Sequence, residues 1–265
     1  MESYLSLQDV SKTFGEGRSS YTAIEGVNLD IAHGEFITFI GHSGCGKSTL
    51  LSLIAGLILP TTGNIYLEGS RIIGPGPDRG MVFQHHALLP WLTVYENVYH
   101  AVDSVFPNSS SLSKRDQVGE VLDGVGLWAH REKKPHQISG GMKQRTAVAR
   151  AFSIHPKLLL MDEPFGALDA LTRGSLQEEL IKLWNADKKS ETVIMVTHDI
   201  DEAILLSDRI VVMTNGPAAT IAEVVDVPIL RPREKSQLVQ SPEYAELKVR
   251  LPQLLTSALF TSSAH

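Results

Sequence analysis

The sequence predicts an α/β protein with a largely parallel sheet covered by helices, and three observations carry that prediction. Residues 158–161, 192–197 and 209–213 are short apolar runs of the kind found in central strands buried on both faces. Segments with helical spacing lie among them, such as the one carrying Val148, Ala151 and Phe152. A glycine-rich loop connects an apolar strand at 35–40 to a helix at 50–57, and alternating strands and helices of this sort build parallel sheets.

The remaining elements follow in order. Residues 5–10 and 23–31 read as β-like pieces separated by a glycine-rich stretch at 14–18. Residues 64–67 and 80–83 read as further strands. From about 92 to 134 the pattern becomes helical, broken by polar residues at 107–113, which predicts a helical insertion ending near Gly140 and Gly141. A helix is expected from Met142. After Asp226 the chain turns rich in proline and charge, with a last helix expected at 242–255.

Bulk properties exclude several classes of function. The chain has 265 residues and a formal charge of −6, which gives no basis for expecting nucleic acid as a partner. Its single cysteine, Cys45, rules out an intrachain disulfide. The N-terminus lacks a basic stretch followed by an apolar one, so no secretion signal is expected. The longest apolar run, 50–59, is about half of the roughly twenty residues that a membrane span requires. Any service to a membrane is expected to be peripheral.

The loop Gly41, His42, Ser43, Gly44, Cys45, Gly46, Lys47, Ser48 and Thr49 has the spacing of a phosphate-binding loop. Its glycines let consecutive backbone N–H groups curl around phosphates at the start of a helix, where the helix dipole adds positive charge. Lys47 is the residue expected to neutralise the terminal phosphates, and Ser48 the one to ligate Mg2+. Cys45 reads as a small residue that fits the loop. Alkylation there is expected to inactivate the protein, and bound MgATP to protect it. Asp162 and Glu163 emerge from the apolar run at 158–161. An aspartate there suits the water shell of a Mg2+ ion, and a glutamate one position on suits a general base for the attacking water.

Ser139, Gly140 and Gly141 open the next helix before that strand, a second anion site made of backbone N–H groups. Here the chain resembles the ATP-binding cassette (ABC) ATPase family, over about residues 4–225. The resemblance implies a P-loop NTPase (RecA-like) core with an N-terminal antiparallel β subdomain and a helical ABC subdomain. It implies an ABC ATPase domain at 1–225, with the helical subdomain inserted at about 86–145, and a short extension at 226–265. Phe14 matches the aromatic that stacks on adenine, with Tyr21 as a nearby rival. Gln84 matches the loop glutamine that senses Mg2+ and the partner, Asp169 the loop that communicates between subunits, and His198 the switch histidine at the γ-phosphate. Met142 and Lys143 replace the usual glutamine after the two glycines, a change that leaves the backbone N–H groups in place.

The resemblance further implies a head-to-tail dimer, homodimeric or paired with a second ABC ATPase. ATP is held there by the P-loop of one subunit and by Ser139, Gly140 and Gly141 of the other. Residues 74–84, 88–97 and 165–173 are similar to importer ATPases for nitrate, bicarbonate, cyanate, taurine and alkanesulfonates, and within that group 139–150 and the short tail look most like the cyanobacterial nitrate and bicarbonate members. Permease subunits in the inner membrane, with a substrate-binding protein acting indirectly, are the expected partners. The chain would then lie peripherally on the cytoplasmic face. Trp91 is the expected contact for a helix of the permease. A soluble, non-transport ABC ATPase is the other class; the single cassette and the lack of sustained heptads speak against it.

Overall fold

The computed structural model describes residues 3–186, 192–231 and 233–260. In chain order the strands and helices are β1 (Leu5–Phe14), β2 (Tyr21–Ile31), β3 (Phe36–Ile40), α1 (Lys47–Ile54), β4 (Thr62–Leu67), β5 (Ser70–Arg71), β6 (Arg79–Val82), α2 (Val94–Val105) and α3 (Ser111–Gly124). They continue with α4 (Gly140–Phe152), β7 (Leu158–Asp162), α5 (Ala170–Ala186), β8 (Thr192–Val196), α6 (Ile200–Leu206), β9 (Arg209–Met213), β10 (Ile221–Asp226), α7 (Lys235–Leu238) and α8 (Pro242–Phe260). The chain divides into two compact units, one of residues 1–76 with 192–265 and the other of residues 77–191.

The first unit contains two sheets. One is antiparallel, in the order β2-β1-β4-β5. Leu5, Leu7 and Val10 of β1 are buried, and the exposed Asp9 takes a left-handed φ of 52° where the register slips between Leu7 and Val10. The slip is a bulge, which keeps both stretches of β1 facing inward. The second sheet has the order β10-β9-β3-β8, with β9, β3 and β8 parallel. Every residue of β3 and β8 is buried, as their sequences, apolar but for Thr38 and Thr192, lead one to expect. Strand β10 pairs antiparallel at the edge and is only partly buried. Its mixed composition, with Glu223 in the middle, hides it among the surrounding polar residues in the sequence.

The expected helix at 50–57 lies earlier, at Lys47–Ile54. Gly46 caps its start in a left-handed conformation, and Gly56, with φ of 74°, follows its end. The final helix runs beyond the expected residue 255, to Phe260, with its buried Leu247, Leu251 and Ala258 on one face.

The second unit pairs β6 with β7 in parallel and gathers α2, α3, α4 and α5. Val94, Val98 and Val102 recur every four residues and form one buried face of α2. They pack with Val118 and Leu122 of α3 and Ala149 of α4. Thr93 and Glu96 close the start of α2 with a capping box: Glu96 N–H donates to Thr93 Oγ1 at 3.1 Å, and Thr93 N–H donates to Glu96 Oε2 at 2.7 Å. Helix α3 is capped by Ser110, inside the polar break expected at 107–113.

Arginine chemistry secures the C-terminal end of α6. The Arg233 side chain donates to the carbonyls of Ile204, Leu205 and Ser207, and also to those of Val227 and Ile229, while the residue is only 8% exposed. Arg231 donates to the Leu206 carbonyl at 2.8 Å and pairs with Asp208 at 3.0 Å. Burial pulls its guanidinium down to about 10, against Asp208, which holds it up; it stays charged at neutral pH. The last carbonyls of a helix lack partners within it, and a cation there also meets the negative end of the dipole.

Replacing Arg233 with Met should therefore strand several buried carbonyls and cost about 2–4 kcal/mol of unfolding free energy in a urea titration. A loss below about 0.5 kcal/mol, the level of an ordinary surface substitution, would mean that these bonds do not secure the end of α6.

Candidate functional site

In the first unit, the loop expected to bind phosphate follows β3 directly and leads into α1. Gly44 and Gly46 have φ of 81° and 90°. A methyl on Gly46 would lie 2.6 Å from Ile24 Cδ1 and 3.3 Å from the Ala23 carbonyl oxygen, so both conformation and space demand glycine there. With Gly46 as its cap, α1 receives no side-chain hydrogen bond at its N-terminus. Its first backbone N–H groups have the geometry that suits an anion. The Lys47 ammonium is buried and donates at 2.8 Å to the carbonyls of both Gly41 and His42. Ser48 and Thr49 occupy the first turn of α1, while His42, Ser43 and Gly44 are exposed. Backbone donors, a lysine and a hydroxyl at one helix start fit a nucleotide triphosphate with its Mg2+ ion.

Cys45 is fully buried, its Sγ 3.7 Å from the Lys47 ammonium. The thiol lies close under Gly41, where an added methyl would come within 2.7 Å of Sγ.

His198 comes to the same end of the sheet through strand register. β3 and β8 run parallel with Phe39 opposite Val196, and Thr197 N–H donates to the Phe39 carbonyl at 3.2 Å. Gly41 and His198 thus both emerge at the C-terminal ends of neighbouring strands, where α/β proteins place their ligands. Thr197 is buried and His198 is exposed. The Thr197 hydroxyl donates to Glu202 Oε2 at 2.7 Å and accepts from Asp199 N–H at 3.0 Å. Asp199 in turn accepts from the N–H groups of Asp201 and Glu202. Sequence spacing alone gave Glu202 no role. Its position three residues after Asp199 resembles a capping box, yet the structure sends its carboxylate to Thr197 instead.

The second unit repeats this device. β6 and β7 are parallel with Val82 opposite Met161, so Gln84 and Glu163, each two residues further, leave adjacent strand ends. Gln84 Nε2 donates to Glu163 Oε2 at 3.3 Å. Asp162 closes β7 and is half-buried. Glu163 takes a left-handed φ of 45°, which costs a residue with a side chain on the order of 1 kcal/mol. Such strain is concentrated at functional positions. Arg150, at the far end of α4, donates to the carbonyls of Ala87 at 2.7 Å and His86 at 3.2 Å. Those two residues also have left-handed φ, and Arg150 holds the segment after Gln84 in that shape. The sequence offers no signal for this role, since an arginine on a polar helix face is ordinary.

The helix expected from Met142 begins at Gly140, capped by Ser139, whose Oγ accepts from Met142 N–H at 3.3 Å. Gly140 is exposed. Gly141 is buried, and a methyl there would come within 2.5 Å of Thr172 Cγ2 on α5, so glycine lets the two helix starts meet. Asp169 caps α5: its carboxylate accepts from the Thr172 hydroxyl at 2.6 Å and from the N–H groups of Leu171 and Thr172. The Thr172 hydroxyl, then these backbone donors, hold the Asp169 carboxyl below the usual carboxylate range. Arg145 joins α4 to α5 through Glu179 at 3.0 Å and Ser175 at 3.0 Å.

Phe14 and Tyr21 face each other across the β1–β2 pair, both exposed, with Lys12 over the Phe14 ring at 5.2 Å. Trp91 is 65% exposed, whereas Val94 at the end of the same apolar stretch is fully buried. Asn97 fixes the loop before α2 by exchanging hydrogen bonds with both backbone groups of Leu89 and donating to the carbonyls of Leu92 and Thr93. Among the described residues no helix is long and apolar enough to cross a membrane.

Gly46→Ala should distort the loop and weaken MgATP binding at least about ten-fold in a fluorescent-nucleotide titration, a loss of roughly 1.4 kcal/mol. Unchanged affinity would show that the left-handed turn at residue 46 is not needed for binding.

A family model described as ABC transporter matches residues 24–166. The bicarbonate transport ATP-binding protein CmpD of Synechococcus elongatus is 54% identical over 245 residues, which span 92% of this chain and 87% of that protein. The nitrate import ATP-binding protein NrtD of the same organism is 53% identical, spanning 92% of this chain and 89% of that one. Among solved structures, a dimer of the ATP-binding cassette MJ0796 in a post-hydrolysis state, bound to ADP and Pi, superposes with a TM-score of 0.75. Its identity is 32%, covering 85% of this chain and all of that one. Phosphate loop, fold and sequence similarity agree: the chain belongs to the ABC transporter family, as an ATP-binding, ATP-hydrolysing member.

Proposed function

We propose that this protein is the motor of an importer for a small anion, bicarbonate or nitrate, and that it works as an ATP-clamped dimer beneath a membrane permease. Identity above one half to ATP-binding proteins named for bicarbonate and nitrate import carries the substrate class. The cargo touches other subunits, so nothing in the cassette itself reads the anion.

The residues take the following roles. Lys47 and the N–H groups of the loop from Gly41 to Thr49 hold the phosphates, and Ser48, Gln84 and Asp162 take the Mg2+ ion. That ion neutralises charge between the β and γ phosphates. Glu163 is the general base for water, oriented by the amide of Gln84. His198 stands at the γ-phosphate. Phe14 stacks on the adenine, with Tyr21 opposite it as the other aromatic within reach. Ser139, Gly140 and Gly141 meet the nucleotide held by the second cassette, and Asp169 orders the turn beside them.

ATP joins two cassettes because each nucleotide contacts both, and hydrolysis removes that bond. Closure and opening differ in ATP affinity, so the nucleotide state shifts the dimer equilibrium that drives the permease. The exposed Trp91, on a loop pinned by Asn97, is the contact for a permease helix. The chain sits peripherally on the cytoplasmic face of the inner membrane.

Glu163→Gln removes the base and keeps the amide contact with Gln84. Cells carrying it should lose uptake of labelled bicarbonate or nitrate by at least about 100-fold, the scale of general-base loss, while the purified variant binds MgATP with wild-type affinity. Uptake of both anions at the wild-type rate would exclude Glu163 as the base. Loss of taurine or alkanesulfonate uptake alone would reassign the cargo.

A further inference from the structure

Helix α6 starts two residues after His198, and the chain that follows β10 grips both of its ends. Arg231 and Arg233 bind the C-terminal carbonyls, as described above. At the N-terminal end, Asp201 accepts from Tyr244 Oη at 2.7 Å and from Lys248 Nζ at 2.6 Å, both from α8. Helix α8 is independently anchored: Leu247 and Leu251 are buried, and the Ala258 carbonyl accepts from Asn215 N–H at 3.2 Å.

From Asp201 an unbroken set of hydrogen bonds leads to both neighbours of His198. The N–H groups of Asp201 and Glu202 bind the Asp199 carboxylate, and the Glu202 carboxylate binds the Thr197 hydroxyl, which also accepts from Asp199 N–H. Thr197 and Glu202 are buried, so this end of the path has little freedom. The Asp201–Lys248 pair is largely exposed, its side chains 56% and 39% accessible. An exposed pair adds little to stability, so its removal leaves the fold in place.

We infer that α8 braces the His198 turn, with Tyr244 and Lys248 as positioning residues for ATP hydrolysis acting through Asp201. The brace rests on the role of His198 proposed above. It gives the C-terminal segment, which carries none of the family motifs, a direct influence on turnover. The protonation states of its groups favour its persistence. Burial opposes ionisation of Asp201, but the bonds from Lys248 and Tyr244, with the charges of Lys248 and Lys235, outweigh it and hold the carboxyl below its ordinary range. Burial and then the bond to Asp201 push the Tyr244 hydroxyl up to about 12, so it remains a donor throughout the physiological range.

The test uses the full-length chain carrying Tyr244→Phe and Lys248→Met together, with single-turnover hydrolysis and equilibrium MgATP binding measured side by side. Hydrolysis should slow about ten-fold, the scale expected when a reacting group is misplaced by a fraction of an ångström, with the Kd for MgATP and the thermal midpoint unchanged. In a His198→Ala background the same pair should cause no additional loss. A wild-type rate would overturn the brace, and so would an equal further loss on top of His198→Ala or a parallel fall in ATP affinity. Should His198→Ala alone retain the wild-type rate, the proposed role of His198 fails first, and that outcome is distinct from failure of the brace. If the double variant lacks a thermal transition, Tyr244→Phe alone, which removes a single hydroxyl, applies the same criteria.

Discussion

Thr197 donates its backbone N–H to the carbonyl of Phe39, and with the pairing of Val82 opposite Met161 this bond sets what the molecule can do. Each belongs to a parallel ladder in which a shift of one residue would turn every side chain to the opposite face. In the first unit the ladder delivers the phosphate loop and His198 to one end of the sheet. In the second it delivers Gln84 and Glu163 to adjacent strand ends, close enough for their side chains to bond. Burial makes these strands mostly apolar, and the same burial fixes their register. The chemistry therefore depends on strands in which polar side chains are few, with Asp162 at the very end of β7.

Much of this was legible in the sequence, and the limits have physical causes. The apolar strands and the phosphate loop announce themselves because burial and phosphate binding each restrict residue type severely. Helix starts were less legible: both α1 and α4 begin earlier than their apolar periodicity suggests, at Lys47 and Gly140, because glycines that read as loop residues are the cap or the first turn. Strand β10 escaped because a half-exposed antiparallel edge needs no apolar run. Residues that act by supporting others, Arg150, Glu202 and Asn97, were invisible. Their partners are mostly backbone carbonyls, N–H groups or a hydroxyl, none of which leaves a pattern in the sequence.

The C-terminal segment shows how a stretch without motifs is tied into the fold. Arg233 satisfies carbonyls at one end of α6 and Asp201 is bound by α8 at the other, so a seven-residue helix is held by side chains at both ends. A helix this short gains little from propagation alone, and its stability comes from buried tertiary contacts such as the bonds of Arg233. Strain is treated in the same way. The left-handed turns at Glu163, His86 and Ala87 persist because Gln84 and Arg150 bond to the side chain or carbonyls they present.

The central claim is that ATP clamps this cassette to a second one, its own copy or another ATPase, with Glu163 needed to release the clamp and Lys47 to form it. The most direct measurement is the molar mass of the Glu163→Gln variant, by size-exclusion chromatography with light scattering, with and without MgATP. A dimer that appears only with MgATP, and that Lys47→Ala abolishes, is the predicted result. A Glu163→Gln variant that binds MgATP and stays monomeric, even with permease and any second ATPase added, would contradict the account.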